Sequence, residues 1–207
     1  TPLYSSAASD VYKRQVTELV TGYDLVRQQI LIAAGEKLAI RQEDVKITGW
    51  AFEARINAED PLKGFLPALG KLTRYIAPAG IGVRMDSCAY EGFEIPRQYD
   101  SMIAKLICYG PTREIAAKRM VRALDEFVVT GVRSTIPFHR YVFTHPVFLA
   151  GDFHTGFIEE HFSDEKVRAM LKSVSEKASV EHVAIATALQ YYPVSYTHLT
   201  LPTNREV

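Results

Sequence analysis

The stretch ITGWAFEARINAED, residues 47–60, has the two-residue period of a strand rather than the period of a helix. Trp50, Phe52, Ala54, Ile56 and Ala58 fall on one side of an extended chain, and Ala51, Glu53, Arg55, Asn57 and Glu59 on the other. This predicts a strand with one buried and one polar face. Pro61, Gly64 and Pro67 make the next segment a loop. Two further strands are predicted at 71–77 and 83–90, joined by PAGIG, residues 78–82, whose proline and glycines suit a tight turn. A fourth is predicted at 101–109, the mostly apolar SMIAKLICY, bounded by Asp100 before it and Gly110-Pro111 after it.

Helical periodicity flanks this block. Upstream, Leu19, Val20, Leu25, Val26, Ile30 and Ala33 predict a short helix and then a longer one, with Asp24 near its N-terminus and Gly35 ending it. Downstream, Thr112 stands where an N-cap belongs, and Ala116, Met120, Ala123, Leu124 and Phe127 trace one face of a helix over 113–129 that Gly131 closes. A short strand is expected at 132–136, helical turns at 137–143 and 145–150, and helix at 157–162, 165–175 and 180–191. Strands in one block between helices predict an α+β fold with a largely antiparallel sheet rather than a doubly wound one. The first fifteen residues, TPLYSSAASDVYKRQ, and the last fourteen or so show no sustained period. Both ends resemble translated adapter sequence and are set aside as non-native segments, 1–15 and 193–207.

Composition narrows the classes. The 207 residues hold 24 Lys plus Arg against 24 Asp plus Glu, with 47% hydrophobic residues. A balanced charge gives no electrostatic case for nucleic acid, which is bound by clustered cations that displace counterions. No window approaches the ~18 apolar residues of a membrane span, so neither a membrane nor a nucleic-acid partner is expected. Cys88 and Cys108 form no disulfide framework and lack metal-ligand spacing. Both fall in predicted strands and are expected to be buried and reduced, in keeping with a cytoplasmic protein.

Few residues carry chemistry by pattern alone. Glu53, Arg55 and Asn57 lie in line on the polar strand face, about 7 Å between successive members. An arginine held by a neighbouring acid presents a rigid fork to an anion or a developing oxyanion. A solvated sheet face with a cross-strand ion pair is the other reading, and the pattern leaves both open. Gly80-Ile81-Gly82 lacks the third glycine and the following helix of a phosphate loop, so it reads as a turn. His139, His145, His154 and His161 show no i, i+4 pair, and no metal site is expected.

Five blocks in order, GWAFEARINAEDP at 49–61, FLPALGKLTRY at 65–75, APAGIGVRMDS at 77–87, YDSMIAKLI at 99–107 and TREIAAKRMVRALDEF at 112–127, closely resemble the C-terminal domain of biotin carboxylase. The resemblance runs from Val16 to about Phe162. It implies that residues 16–50 are the last helices of an ATP-grasp domain and 51–160 the carboxylase C-terminal domain; the helical pattern beyond it makes 161–192 a helical tail. It also implies the family's reaction, in which ATP and bicarbonate form carboxyphosphate and biotin on a carrier protein is carboxylated, with ATP, Mg2+ or Mn2+ and biotin required by the full-length enzyme. The family's ECRINAED arginine, which stabilises the biotin enolate, matches Arg55 in EARINAED. Glu53 and Asn57 would then support it, and Asp100, in QYDSM where the family has YYDSM, would lie near the same site. Arg84, in GVR, matches a dimer-interface arginine, and Ile81 stands where an aromatic occurs in that contact. A biotin carboxyl carrier protein, a carboxyltransferase component and a second copy of the enzyme are the implied partners.

One departure limits the resemblance. The family's RxQVEHPVTE supplies a bicarbonate-binding arginine and a glutamate base, whereas here KRQ is followed directly by Val16-Thr17-Glu18. Arg14 and Gln15 are therefore not credited with those roles. The expectation is a fragment inactive toward ATP by itself, with a non-catalytic dimerisation or carrier-docking module as the alternative.

Overall fold

The computed structural model describes residues 14–162 together with Glu165, all within one compact unit. The helices expected at 165–175 and 180–191, and nearly all of the two terminal segments, lie outside the described residues.

Two helices come first. α1 (Gln15–Thr21) ends at Gly22, whose positive φ of 77 reverses the chain. α2 (Leu25–Ala33) starts at Asp24, whose carboxylate accepts from the Arg27 N–H at 2.8 Å, as the sequence predicts for an N-cap. The Glu18 carboxylate adds a second cap, accepting from the Leu25 N–H at 2.9 Å. Ile30 and Ile32 stand exposed on α2.

The expected strand at 47–60 becomes β1 (Trp50–Asn57), followed after Ala58 by the short β2 (Glu59–Asp60) that pairs with β3 (Leu66–Pro67). β4 (Arg74–Ile76), β5 (Val83–Ser87) and β6 (Met102–Gly110) follow. The main sheet has the order β1-β6-β5 and is antiparallel throughout. β6 lies at its centre, which explains its mostly apolar sequence. Opposite the Ile56–Asn57 step β6 carries one extra residue, since Ile56 pairs with Ala104 but Asn57 with Met102.

One face of this sheet is the core. Ala54, Ile56, Ala104, Leu106 and Cys108 pack there with Met120, Ala123 and Leu124 of α3 (Arg113–Glu126). Thr112 caps α3, its hydroxyl accepting from the Ile115 N–H at 3.3 Å. The predicted helix runs three residues too far, because Val128 to Thr130 form β7 (Val128–Thr130), an antiparallel partner of β4. β-Branched residues at a helix end favour extended backbone when a strand edge is available. The strand expected at 132–136 is therefore found four residues earlier, and 132–135 is a connection. Gly131, at φ 95, makes that turn, where a Cβ would run into the Lys71 carbonyl oxygen. The chain then forms α4 (Ile136–Thr144), α5 (Pro146–Ala150) and α6 (Phe157–His161). No described helix is long and apolar enough to cross a membrane.

Cys108 is buried as expected, and its apolar surroundings push the thiol up to about 12, leaving it inert. Cys88 corrects the expectation. β5 stops at Ser87, so Cys88 falls beyond the sheet and is exposed.

Candidate functional site

The other face of the main sheet carries the polar residues. Cross-strand pairing aligns Arg55 of β1, Lys105 of β6 and Asp86 of β5 in one row, and Glu53, Ile107 and Arg84 in the next. α1 packs over β1 and β6 on this side. Its cover leaves Ile107 with 0% exposure although it stands outside the main core cluster, and leaves the Lys105 side chain 3% exposed.

Charges in the two rows neutralise one another. The Glu53 carboxylate receives Arg55 Nε at 3.7 Å and Lys105 Nζ at 3.6 Å, both on the same oxygen. Across the sheet, Arg84 forks onto Asp86 at 2.8 and 3.0 Å and reaches Glu18 of α1 at 3.5 Å. Gln15 donates to Asp86 at 3.2 Å. Burial pushes the Asp86 carboxyl up, but the Arg84 and Gln15 hydrogen bonds and the charges of Arg84 and Lys105 outweigh it and hold it below the usual carboxylate range. The hydrogen bond to Asp86 raises Arg84 in return. A cavity of about 280 Å³ opens beside Asp86 and Lys105.

Arg55 differs from these neighbours. Its side chain is 54% exposed, and its nearest approach to Glu53, through Nε at 3.7 Å, is too long for a hydrogen bond. That is the presentation an arginine needs to bind a carboxylate, a bicarbonate or a ureido oxygen. Its backbone is held more firmly than its side chain. β1 is an edge strand, and Thr135 covers the edge: its hydroxyl donates to the Arg55 carbonyl at 3.1 Å and accepts from the Asn57 N–H at 3.0 Å. The Thr135 N–H donates to the Asn57 carbonyl at 3.1 Å. His139 Nε2 donates to the same Arg55 carbonyl at 2.7 Å, which fixes its tautomer. Burial holds the His139 imidazole below its ordinary range, against the opposing pull of that hydrogen bond and of Glu59.

The structure thus brings Glu53 and Arg55 together. Asn57 lies farther along β1, its side chain donating to Glu59 at 3.0 Å, where the Ser101 hydroxyl also donates at 2.6 Å. Asp100 is exposed in the turn before β6 and makes no described contact with Arg55. Ile81 is 84% exposed at the tip of the connection between β4 and β5. Sequence reasoning missed Lys105, Thr135 and His139. Lys105 had one signal, a lysine alone inside an apolar strand. A larger groove of about 730 Å³, lined in part by Ala117, Val121, Phe143 and Leu149, lies against α3 and α4, apart from this polar face.

Residues 53–160 match the family model described as biotin carboxylase C-terminal domain. The chain is 53% identical over 146 residues to biotin carboxylase 1 of Bacillus subtilis, covering 70% of this chain and 32% of that protein. It is 48% identical over 163 residues to a pyruvate carboxylase subunit from Methanothermobacter thermautotrophicus, covering 78% and 33%. Among solved structures it resembles the biotin carboxylase domain dimer of the Hydrogenobacter thermophilus 2-oxoglutarate carboxylase, in complex with MgADP, ADP and bicarbonate. That likeness has a TM-score of 0.70 and 46% identity and covers 72% of this chain and 33% of that one. The chain spans about a third of the length of the relatives it matches.

Proposed function

The chain belongs to the biotin carboxylase C-terminal domain family, and from that premise we propose that it is part of a biotin carboxylase, the ATP- and bicarbonate-dependent ligase that carboxylates biotin on a carrier protein. The observation that carries this reading is Arg55, a side chain more than half exposed beside Glu53 on a pinned edge strand.

In this reading Arg55 faces the ureido oxygen of biotin. Carboxylation at N1 requires loss of that proton, and the negative charge then gathers on the oxygen. A guanidinium already fixed in place stabilises this charge without reorganising, which is the main source of oxyanion stabilisation in enzymes. Glu53 positions the fork, and Thr135 with His139 fix the backbone beneath it. Asn57 and Asp100 support the site from the Glu59 side. Among the described residues no group of three His, Cys, Asp or Glu side chains would hold a metal ion. ATP with Mg2+ or Mn2+ belongs to the ATP-grasp part of the full-length enzyme, whose last helices are α1 and α2, and the 207-residue chain is proposed to turn over no ATP by itself. Arg84 and Ile81 are proposed to meet a second copy of the enzyme. A biotin carboxyl carrier protein and a carboxyltransferase would be its partners, in a cytoplasmic acetyl-CoA, propionyl-CoA or pyruvate carboxylase, the first of these serving fatty acid biosynthesis.

The test is a hybrid enzyme in which residues 16–162 replace the matched stretch of the Bacillus subtilis relative. Arg55→Ala in the hybrid is expected to cut carboxylation of free biotin by ~10² to 10³-fold, the range for loss of one oxyanion donor. Bicarbonate-dependent ATP hydrolysis should fall much less. Equal loss of both activities would refute the role of Arg55.

A further inference from the structure

Lys105 stands on the polar sheet face with only 3% of its side chain exposed, a rare position for a lysine, since an ammonium is seldom removed from water without partners. Its ammonium lies 3.6 Å from the Glu53 oxygen that also receives Arg55, 3.7 Å away. Pairing across β6 places it directly between Arg55 and Asp86. Glu53 is therefore shared by two cations, one buried and one exposed.

Sharing has a consequence for Arg55. A carboxylate at 16% exposure with a single cation beside it would draw that cation into the closest paired geometry, both terminal nitrogens included. With the Lys105 charge already on the same oxygen, the pull on the guanidinium is divided. Arg55 comes no nearer to Glu53 than 3.7 Å, and its side chain stays 54% exposed. We propose that Lys105 is a positioning residue for the biotin-facing arginine: it neutralises Glu53 from the neighbouring strand so that Arg55 is held without being consumed in an ion pair. This rests on the assignment of Arg55 to the ureido oxygen.

The surrounding charges are compatible with this role. Asp86 faces Lys105 from β5 but is occupied by the Arg84 fork and by Gln15, so the ammonium is not required to neutralise it alone. Glu18 of α1 is turned toward Arg84 and the start of α2.

A double-mutant cycle in the hybrid enzyme tests the proposal. Lys105→Met, which keeps the length and apolar stem, is expected to lower kcat/KM for free biotin about ten-fold, with bicarbonate-dependent ATP hydrolysis nearly unchanged. Lys105→Arg should restore most of the loss. Glu53→Gln removes the anion that Lys105 shields, so adding Lys105→Met to it should cost nothing further. Additive losses, or equal loss of both activities, would overturn the proposal and leave Lys105 a merely structural residue. A second readout needs no activity: the rate at which phenylglyoxal modifies Arg55 in the 207-residue chain, followed by peptide mass spectrometry. Lys105→Met should slow modification about three-fold, the scale of one exposed ion pair, and the Glu53→Gln background should abolish the difference. An unchanged rate would overturn the proposal. If Arg55→Ala leaves biotin carboxylation intact, the catalytic assignment falls, while the modification rates still decide whether Lys105 governs the fork.

Discussion

The two faces of the β1-β6-β5 sheet use alternate residues of the same three strands and are held by different physics. On one face Ala54, Ile56, Leu106 and Cys108 bury apolar surface against α3, an interaction that is non-directional and additive in area. On the other, Glu53, Arg55, Lys105, Arg84 and Asp86 form directional charge pairs under α1, with Ile107 as the apolar residue beneath them. Burying charged pairs costs desolvation that the pairing only roughly offsets, so such a face contributes geometry more than stability. Substitutions on the first face should therefore register in unfolding, and those on the second in chemistry.

The largest expected effect is on the core face. Leu106→Ala removes a fully buried side chain at the centre of the sheet and should cost about 2–5 kcal/mol in urea unfolding of the 207-residue chain. Thr135→Val comes next. It keeps the shape but deprives the Asn57 N–H of its acceptor and the Arg55 carbonyl of one donor, at about 1–3 kcal/mol. Because it also loosens the backbone under Arg55, it should be felt on both faces. A hybrid enzyme with Thr135→Val that keeps full biotin carboxylation would show that the edge clamp serves folding alone.

What is legible in the sequence follows the same division. Periodicity exposes a face, so Ala54, Ile56 and Ala58 read as buried and Glu53 and Arg55 as polar. Caps are local chemistry, so Asp24 and Thr112 are readable as helix starts. Pairing is not local. Val128 and Val129 read as the end of a helix because nothing in their own neighbourhood shows that β4 offers an edge. Lys105 reads as one member of an apolar strand because its meaning lies in residues 52 positions before it and 19 before it, Glu53 and Asp86. His139 shows no ligand spacing and carries no other signal in the sequence, because its partner is a backbone carbonyl 84 residues away. The motif that identifies the family contains Arg55, but what holds Arg55 comes also from β6 and α4.

Acid provides a smaller effect on the same clamp. His139 has a folded-state pKa below its ordinary value, so between that ordinary value, about 6.5, and the folded one the unfolded chain binds a proton that the folded chain does not. Stability should therefore fall as the pH drops below about 6.5 and level off once the folded imidazole also protonates. The slope from one such group is at most about 1.4 kcal/mol per pH unit. Urea titrations at stepped pH should show this slope in the parent chain and a flatter one for His139→Gln. Identical slopes would mean that burial of this imidazole is not linked to folding.

The smallest expected change in stability belongs to the residue with the largest expected role in chemistry. Arg55 is more than half exposed, its one described ion pair is 3.7 Å long, and both features predict that Arg55→Ala changes unfolding by no more than about 0.5 kcal/mol. Its backbone clamp through Thr135 and His139 does not depend on the side chain and should survive the substitution. A loss of ~2 kcal/mol, well beyond what an exposed pair supplies, would mean that Arg55 holds the sheet face together, and its exposed fork would then be a by-product of packing. A near-zero change, together with a large drop in biotin carboxylation, would instead separate the two faces by function, since a guanidinium that adds nothing to folding is retained in that geometry only for what it binds.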